Sequence, residues 1–473
     1  MHTLIDLRWM IPGYTGGIEV MARSMLDTMI QMDRSNQYTV MLPSVTRYDF
    51  NLEGQDNFHL QMCDGVSYYL AKLSLLLQTN LLGKTIQKDE TWVQARRANA
   101  QIALSPSGII YPDLYQFKNL LILPDLQHEY FPEFFTPQEV ENRRKYYAAS
   151  INHADQIITI SEFTRQTVID RMHIPPERIS TAHLGVDQHF KGFALYSDKV
   201  LSKYNLEKNR YLFFPANTWP HKNHRTALQA LHYLKKKHDL RPLLICTGAP
   251  KEAHPELIAL SLQLDLQDQF HFLGYCPPED LPALYREAAA LVFPSLFEGF
   301  GMPVIEAMGL DCPVICSNTT SLPEIAGDAA LLIDPNDPEM LAEAIFQVMT
   351  DSSLRQRLIQ RGRQQVKNFS WLSFTSEVLR SLDRLGGGER KVDAWQEYGR
   401  MNLVDQSRKL SRQERAQSLI HQVTDDWRHE KRIRAMGKSL KAFVLAPEVV
   451  FTTTLFPYFR DRVLRKIFKW FPL

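Results

Sequence analysis

The stretch that decides the fold is LVFPSLFEGFGMPVIEA, residues 291–307. Its apolar start predicts a buried strand, and the two glycines that follow predict a loop leading into a helix. A strand, a glycine-containing loop and a helix form one βα unit. The loop therefore brings Glu298 and Glu306 to the carboxyl end of a parallel sheet, where α/β folds bind ligands.

The same alternation of strand and helix recurs on both sides of this stretch. Apolar runs of strand length occur at 2–10, 37–43, 119–125 and 155–160, and helical patterns occur at 18–32 and 161–172. A second series has strands at 210–216, 242–248, 269–274, 290–295, 313–318 and 330–335, with helical patterns at 337–351 and 371–384. Parallel strands that alternate with helices predict two doubly wound α/β domains.

A polar segment of poor periodicity, residues 190–208, predicts a linker between these domains. It separates an N-terminal domain at 1–195 from a C-terminal domain at 205–385, and residues 389–473 form a further extension. The chain has 473 residues, of which 44% are hydrophobic and 23% are charged, and this balance is typical of a soluble globular protein. A formal net charge of +1 argues against a nucleic-acid partner.

The C-terminal extension combines basic and apolar residues. Residues 431–473 carry a net charge of +8, and the apolar run at 442–459 is interrupted by two prolines and a glutamate. Such a segment suits an anionic membrane surface, and it suits packing on the N-terminal domain or on a second subunit equally well. The start of the chain lacks the order of a signal peptide. We therefore expect a cytoplasmic protein that the extension can place on the inner face of the membrane.

Glu298 and Glu306 are the first candidate site residues. A carboxylate accepts hydrogen bonds from neighbouring hydroxyls, which suits a sugar or a ribose, and the free amides of a helix start favour phosphate. The alternative is that Glu306 only stabilises the start of its helix and that Glu298 is a solvated loop acid.

Lys222 is the candidate cation. In FFPANTWPHKNH, residues 213–224, it follows a strand end in a polar turn. A lysine ammonium is a compact positive charge that fits a leaving phosphate group. A lysine on the surface without a ligand is the alternative.

Two loops of the N-terminal domain supply further candidates. Asp125 and His128 follow a strand in LPDLQHEYFPEFF, residues 123–135, although His128 also fits a histidine packed on aromatic rings. Gly16 and Gly17 follow the first strand, where glycines let the backbone approach a ligand closely. A tight turn between strand and helix is the alternative for these glycines.

Three motifs do not occur in the sequence. No G-x-G-x-x-G follows the first strand, which argues against a dinucleotide oxidoreductase. No D-x-D is present, so we expect no metal ion in the site. The five cysteines are scattered without a C-x-x-C pair, and we interpret them as reduced structural thiols.

The segment at 295–335 resembles the family 4 retaining glycosyltransferases of the GT-B fold. The resemblance rests on E-G-F-G-M-P-V-I-E-A from Glu298 to Ala307 and on S-L-P-E-I-A-G-D-A-A from Ser321 to Ala330, and it covers most of 205–380. It implies two Rossmann-like domains that face each other across a cleft.

The resemblance also implies roles for single residues. Glu298 binds hydroxyls of the transferred sugar, Glu306 binds the ribose, and Lys222 neutralises the diphosphate. The family's usual arginine near Lys222 has no counterpart here, so Asn217 or His221 is the expected extra donor. A proline, Pro124, stands where the family often has a histidine near the sugar, so His128 and Asp125 are candidates by proximity. The remaining implied donor contacts are the amides of Phe300 and Gly301, the strand ends at Gly248, Gly274 and Tyr275, and the loop of Gly16 and Gly17.

The implied activity is metal-independent and retaining transfer of a sugar from a nucleotide diphosphate sugar to a hydroxyl acceptor. Polysaccharide or glycolipid assembly is the expected setting, a glycan or lipid-linked molecule is the expected acceptor, and no cofactor is expected. A same-fold epimerase or phosphorylase is an alternative enzyme. An inactive scaffold that binds nucleotide sugars is the alternative without catalysis.

Overall fold

The computed structural model of the chain describes residues 1–10, 16–43, 50, 52, 55–63, 100–111, 114–186 and 197–387. The extension at 389–473 lies outside these residues. Its membrane contact and its packing both stay predictions. Within the described ranges, the structure contains no helix with the length and apolar character needed to cross a bilayer.

Within the described residues, the first sheet has seven strands. In chain order they are β1 (His2–Asp6), β2 (Gln37–Pro43), β3 (Phe58–Cys63), β4 (Ile102–Ser105), β5 (Lys118–Leu123), β6 (Gln156–Thr159) and β7 (Ile179–Thr181). Their order in the sheet is β3-β2-β1-β4-β5-β6-β7. β1 pairs in parallel with β2 and β4, and β6 pairs in parallel with β5 and β7. The helices that the structure describes around this sheet are α1 (Gly17–Met32), α2 (Pro137–His153) and α3 (Glu162–Met172).

The second sheet has six parallel strands. They are β8 (Tyr211–Pro215), β9 (Leu243–Thr247), β10 (Phe270–Phe272), β11 (Ala290–Phe293), β12 (Val314–Ser317) and β13 (Ala330–Ile333). The order in the sheet is β10-β9-β8-β11-β12-β13. The direction of winding therefore reverses between β8 and β11. In an open α/β sheet this switch point is where a ligand crevice forms, at the carboxyl ends of the two strands.

Helices connect the strands of the second sheet and follow it. They are α4 (Ser197–Tyr204), α5 (His224–His238), α6 (His254–Gln263), α7 (Leu281–Arg286), α8 (Met302–Gly309), α9 (Leu322–Ala326), α10 (Pro338–Thr350), α11 (Ser352–Gln365) and α12 (Trp371–Gly386). The predicted α/β class with two parallel sheets is confirmed. Asp337 caps α10 as expected, because its carboxylate accepts a hydrogen bond from the Met340 amide at 2.9 Å.

The structure contains elements that the sequence did not predict. The segment at 190–208, predicted as a linker, contains helix α4, whose Val200 and Leu201 side chains are buried. Strands β3, β4 and β7 were missed. β3 is only partly buried and β7 has three residues, so neither presents the long apolar run by which the other strands were identified.

The described chain forms two compact units. One holds the described residues up to Leu104 together with Gly386 and Gly387, and the other holds the described residues from Ser105 to Leu385. Gly16 and Gly17 belong to the first unit, and every other candidate site residue belongs to the second. The predicted domain boundaries at 195 and 205 stay predictions.

Candidate functional site

Lys222 and Glu298 meet at the switch point of the second sheet. Lys222 ends a turn at Pro220–Lys222 that follows β8, and Glu298 lies in the loop after β11. The Lys222 Nζ donates a hydrogen bond to the Glu298 Oε1 at 2.6 Å. The two side chains are only 19% and 11% exposed, so little water screens the attraction between their charges. The structure thus joins two residues that are 76 positions apart in sequence.

The turn that carries Lys222 is fixed by backbone contacts. Asn223, at φ 62°, donates from its Nδ2 to the carbonyl oxygens of Pro294 at 3.0 Å and Pro335 at 2.8 Å. The Leu296 amide donates to the His221 carbonyl at 2.7 Å. The turn is therefore tied to the carboxyl ends of β11 and β13, and Lys222 has little freedom to leave the switch point.

The Glu298 loop is held by the segment that begins α9. The Glu298 amide donates to the Thr320 Oγ1 at 3.2 Å. The Ser321 Oγ lies 2.9 Å from the carbonyl oxygens of both Glu298 and Phe300. Gly301 has φ 106°, a conformation that L side chains rarely adopt, and it immediately precedes α8. These bonds bring the two quoted family segments into contact in the fold.

Gly299 brings the Glu298 loop against the loop that follows β5. A Cβ at Gly299 would lie 2.5 Å from the Pro124 carbonyl oxygen and 2.8 Å from the Asp125 Cβ. Both distances are shorter than van der Waals contact, and the first involves backbone that cannot rotate away. A glycine is needed here for space, since its φ is not in the left-handed region.

Asp125 is the candidate of the β5 loop that lies beside the Lys222–Glu298 pair. Its Oδ1 accepts a hydrogen bond from the Gln127 amide at 2.9 Å. Burial raises the pKa of Asp125, and the nearby Glu298 charge raises it further, while the Gln127 amide, Arg143 and Lys222 act in the opposite direction. Asp125 is therefore electrostatically coupled to both members of the pair.

His128 is buried and packs on an aromatic ring. It is 1% exposed, and its ring centroid lies 4.9 Å from that of Tyr147. The Nε2 has no hydrogen-bond partner among the described residues. Burial lowers the pKa of His128 to about 4, so the imidazole is neutral near pH 7. These features match the packing alternative, and the catalytic role of His128 stays a prediction.

Glu306 lies on α8 and contacts a buried tyrosine. It is the fifth residue of α8. The Tyr285 hydroxyl donates to the Glu306 Oε2 at 2.5 Å. No pattern in the sequence indicated this partner, because Tyr285 is on a different helix.

The strand ends of β8, β9 and β10 bring three of the predicted donor contacts together. The Gly248 amide donates to the Gly274 carbonyl at 2.7 Å. A Cβ at Gly248 would lie 2.8 Å from both the amide nitrogen and the Oδ1 of Asn217. The Asn217 Oδ1 accepts from the Ala249 amide at 2.6 Å. Tyr275 follows at the surface and is 56% exposed, so its ring is accessible to a ligand.

His221 lies beside Lys222 and cannot carry a second positive charge near neutral pH. Burial lowers the pKa of His221 to about 3, and the neighbouring Lys222 charge contributes to this decrease. A neutral imidazole still has one N–H to donate. His221 can therefore stand in for an arginine as a donor but not as a charge.

Glu324 is a functional candidate that the sequence reasoning missed. Its carboxylate accepts hydrogen bonds from the Glu162 amide at 2.8 Å and the Phe163 amide at 3.1 Å, at the start of α3. The His183 Nε2 lies 2.5 Å from its Oε1. Burial alone would raise the pKa of Glu324, but the bonds from His183 and the two amides lower it overall. The motif S-L-P-E contains Glu324, and only the fold shows what it binds.

Two predictions remain, one about the glycine loop of the first unit and one about a metal ion. Gly16 has φ 61° and precedes α1, and a Cβ at this position would have no neighbour within 4 Å, so its predicted ligand contact stays a prediction. Among the described residues, no three His, Cys, Asp or Glu side chains are arranged to hold a metal ion.

Two family descriptions match the chain. Glycosyl transferases group 1 matches residues 198–365, and Glycosyltransferase Family 4 matches residues 125–190. The matched ranges contain Lys222, Glu298 and Glu306 in the first case and Asp125 and His128 in the second.

Two relatives and one solved structure show what the chain is similar to. The chain is 36% identical over 255 residues to O-antigen chain mannosyltransferase B of Escherichia coli, which is 54% of this chain and 67% of that protein. It is 29% identical over 266 residues to the serotype-specific mannosyltransferase WbdA of Escherichia coli, covering 54% of this chain and only 32% of that protein. The crystal structure of Anabaena HepE in complex with UDP and glucose has a TM-score of 0.60 at 16% identity, covering 81% of this chain and 100% of that chain. The likeness to HepE concerns the fold alone, and it agrees with the α/β fold expected from the sequence.

Proposed function

We propose that this chain, which belongs to the group 1 glycosyl transferases of family 4, moves a sugar from a nucleotide diphosphate sugar to a hydroxyl acceptor. The observation that carries the proposal is the Lys222–Glu298 ion pair at the switch point of the second sheet. A cation and an acid held together there match the two halves of the donor. The ammonium suits the diphosphate, and the carboxylate suits the hydroxyls of the sugar.

The donor would replace the internal contact of the pair. When the diphosphate approaches the Lys222 Nζ, Glu298 is released to accept hydrogen bonds from sugar hydroxyls. The amides of Phe300 and Gly301 are proposed to meet the sugar and its phosphate, and Glu306 is proposed to bind the ribose. The strand-end residues Asn217, Gly248, Gly274 and Tyr275 are proposed to contact the nucleotide, and Gly16 and Gly17 are proposed to approach the diphosphate.

We propose that the reaction retains the configuration of the sugar and needs no metal ion or cofactor. The bond between the anomeric carbon and the phosphate oxygen breaks, and the acceptor oxygen forms a bond to the same face of that carbon. The acceptor proton passes to an oxygen of the departing diphosphate. Lys222 and the amides at the start of α8 stabilise the negative charge that develops on the diphosphate. Asp125 is the candidate beside the reacting centre, because it lies close to the Glu298 loop. A Cβ added at Gly299 would lie 2.8 Å from the Asp125 Cβ.

The relatives suggest a setting for this reaction. Two of them are named as mannosyltransferases, one of them of the O-antigen chain, so a nucleotide-linked mannose is the first donor to test. We propose a glycan or lipid-linked acceptor in surface polysaccharide or glycolipid assembly. We also propose that the protein works in the cytoplasm and that its basic extension contacts the inner face of the membrane.

The test compares wild type with Glu298→Ala and with Glu252→Ala, an exposed glutamate of the same unit that serves as the control. Hydrolysis or transfer from UDP-, GDP-, ADP- and dTDP-sugars is measured for each. We expect at least one donor to turn over, with a loss of about 10²–10³-fold in Glu298→Ala and no change in Glu252→Ala.

Two other outcomes would favour the alternatives. Donor binding without turnover in wild type and Glu298→Ala alike would favour a scaffold that only binds nucleotide sugars. Conversion of the donor to its epimer without any acceptor would favour an epimerase. The missing arginine favours the scaffold alternative. Without it, Lys222 alone supplies positive charge for the diphosphate, since the neighbouring His221 is neutral.

A further inference from the structure

A buried tyrosine hydroxyl fixes the direction of the second acid of the site. Tyr285 lies on α7 and is 1% exposed. Its ring packs edge-on against Phe213 of β8, with centroids 4.9 Å apart and planes at 88°. The hydroxyl therefore has a fixed position, and it donates to the Glu306 Oε2 at 2.5 Å. A short bond to a carboxylate is stronger than a bond between neutral groups.

The proton arrangement leaves Glu306 able to bind a ligand. The phenol has one proton, and burial together with the Glu306 charge raises the pKa of Tyr285 well above 10, so that proton stays in place at neutral pH. A carboxylate has about four positions that accept hydrogen bonds. The bond from Tyr285 takes up one of these positions and fixes the direction of the Oε2.

We propose that Tyr285 is a positioning residue that holds the Glu306 carboxylate ready to accept hydrogen bonds from the ribose hydroxyls of the donor nucleotide. This inference rests on the proposed function, since it assumes that Glu306 binds ribose. Tyr285 itself does not touch the donor in this proposal. Its effect is therefore on discrimination between nucleotides with and without a ribose hydroxyl, and not on the affinity for the base or the phosphates.

The structure offers a matched control for this test. Tyr211 of β8 is also fully buried, and its hydroxyl donates to the Leu284 carbonyl of α7 at 2.8 Å. Tyr211→Phe removes a buried tyrosine hydroxyl and its bond, as Tyr285→Phe does, but it leaves Glu306 untouched. We therefore expect an effect of the lost buried hydroxyl on folding in both variants. An effect through Glu306 is expected only in Tyr285→Phe.

The experiment measures dissociation constants of UDP and GDP, and of their 2′-deoxy forms, by titration calorimetry on the full chain. The base that binds more tightly to wild type is used for all variants, which are Tyr285→Phe, Tyr211→Phe and Glu306→Ala. We expect wild type to favour the ribonucleotide at least about tenfold. We expect that preference to fall about three- to tenfold in Tyr285→Phe, to near unity in Glu306→Ala, and to persist in Tyr211→Phe.

The outcomes separate this inference from the proposed function. If Glu306→Ala removes the preference and Tyr285→Phe keeps it, the positioning role is wrong and the ribose contact stands. If wild type shows no preference and Glu306→Ala changes nothing, the ribose contact of the proposed function is wrong, and the positioning role falls with it. An equal loss in Tyr285→Phe and Tyr211→Phe would assign the effect to packing and would overturn the inference.

Discussion

The loop after β11 and the loop after β5 both follow a buried strand, and both were expected to supply site residues, yet they differ in chemistry. The β11 loop carries Glu298, whose carboxylate forms an ion pair with Lys222 at 2.6 Å. The β5 loop carries His128, which is 1% exposed and packs on Tyr147. One loop presents charge where little water competes with a ligand, while the other buries its titratable ring.

The difference shows that a position after a buried strand does not by itself determine the chemistry of the loop. In the β11 loop, glycines and hydroxyl side chains hold the backbone, so that the acid is free to face the switch point. In the β5 loop, aromatic residues pack on one another and on the β11 loop: Phe131 stacks on Phe134 with centroids 5.2 Å apart, and the Tyr130 ring lies 5.5 Å from that of Phe297. The same topological position therefore supplies an acid in an ion pair in one loop, and an acid, Asp125, beside packed aromatic rings in the other.

Removal of the cation should have the largest effect. In Lys222→Ala, the charge on the leaving diphosphate loses its nearest stabilising group, and we expect kcat to fall about 10²–10³-fold. Lys222→Arg keeps the charge and should recover part of the loss. The measurement is steady-state transfer from the nucleotide sugar that wild type uses best. A change of less than threefold in Lys222→Ala would place the charge stabilisation elsewhere and would remove the contrast between the two loops.

Gly299→Ala tests the point where the two loops touch. The new Cβ would lie 2.5 Å from the Pro124 carbonyl oxygen, so one loop must move. A displacement of about 1 Å in an active site costs about 10²-fold, and we expect kcat/KM to fall by that order.

Gly309→Ala is the matched control for Gly299→Ala. A Cβ at Gly309, the last residue of α8, would meet Val186 and Val366 at ordinary distances of 3.6 and 3.7 Å. We expect its kcat/KM and melting temperature to stay close to those of wild type. Equal losses in both variants would mean that the contact with Pro124 has no special importance.

Acid should destabilise the fold through buried histidines. The pKa of His128 is lowered to about 4 and that of His224 to about 3, while an unfolded histidine titrates near 6.5. Below pH 6.5 the unfolded chain binds more protons than the folded chain. The free energy of unfolding therefore decreases as the pH is lowered, by about 1.4 kcal/mol per pH unit for each histidine. Asp125 acts in the opposite direction, because burial raises its pKa.

The measurement is the melting temperature between pH 7 and pH 5. We expect it to fall with pH in wild type and to fall less in His128→Phe, which has one buried histidine fewer. A melting temperature that is flat over this range would contradict the burial of both rings.

His128→Phe should have the smallest effect on catalysis. Phenylalanine keeps a flat ring against Tyr147, and the Nε2 that it removes has no hydrogen-bond partner among the described residues. We expect kcat to stay within about threefold of wild type at neutral pH. A loss of 10² or more would instead support the catalytic role that the sequence suggested, because general acid–base groups contribute that much.

The sequence predicted the second sheet better than the first. Strands such as Tyr211–Pro215 are almost wholly buried, and buried parallel strands form continuous apolar runs that are easy to identify. β3 lies at the end of the strand order and is only partly buried. Its polar His59 and Gln61 interrupt the apolar run by which a strand is identified. Helix α4 was missed because it is short and polar and has two buried residues.

The site divides in the same way. The Glu298 segment was found because glycines and acids occur together within ten residues. The contacts that position the site were not found, because they join residues distant in sequence. Tyr285 and Glu306 are 21 positions apart, and Glu324 contacts an amide 162 positions away. Hydrophobic periodicity indicates local secondary structure, and it does not predict contacts between residues that are distant in sequence.

The Glu324 contact has a consequence for ligands with negative charge. The first amides of α3 would ordinarily attract a phosphate, yet Glu324 already accepts hydrogen bonds from two of them. An incoming anion would have to expel a carboxylate that is part of the same chain and is therefore present at very high local concentration. The protein thus satisfies one helix start with its own acid, and inhibitors built around a phosphate mimic should be aimed at α8 instead.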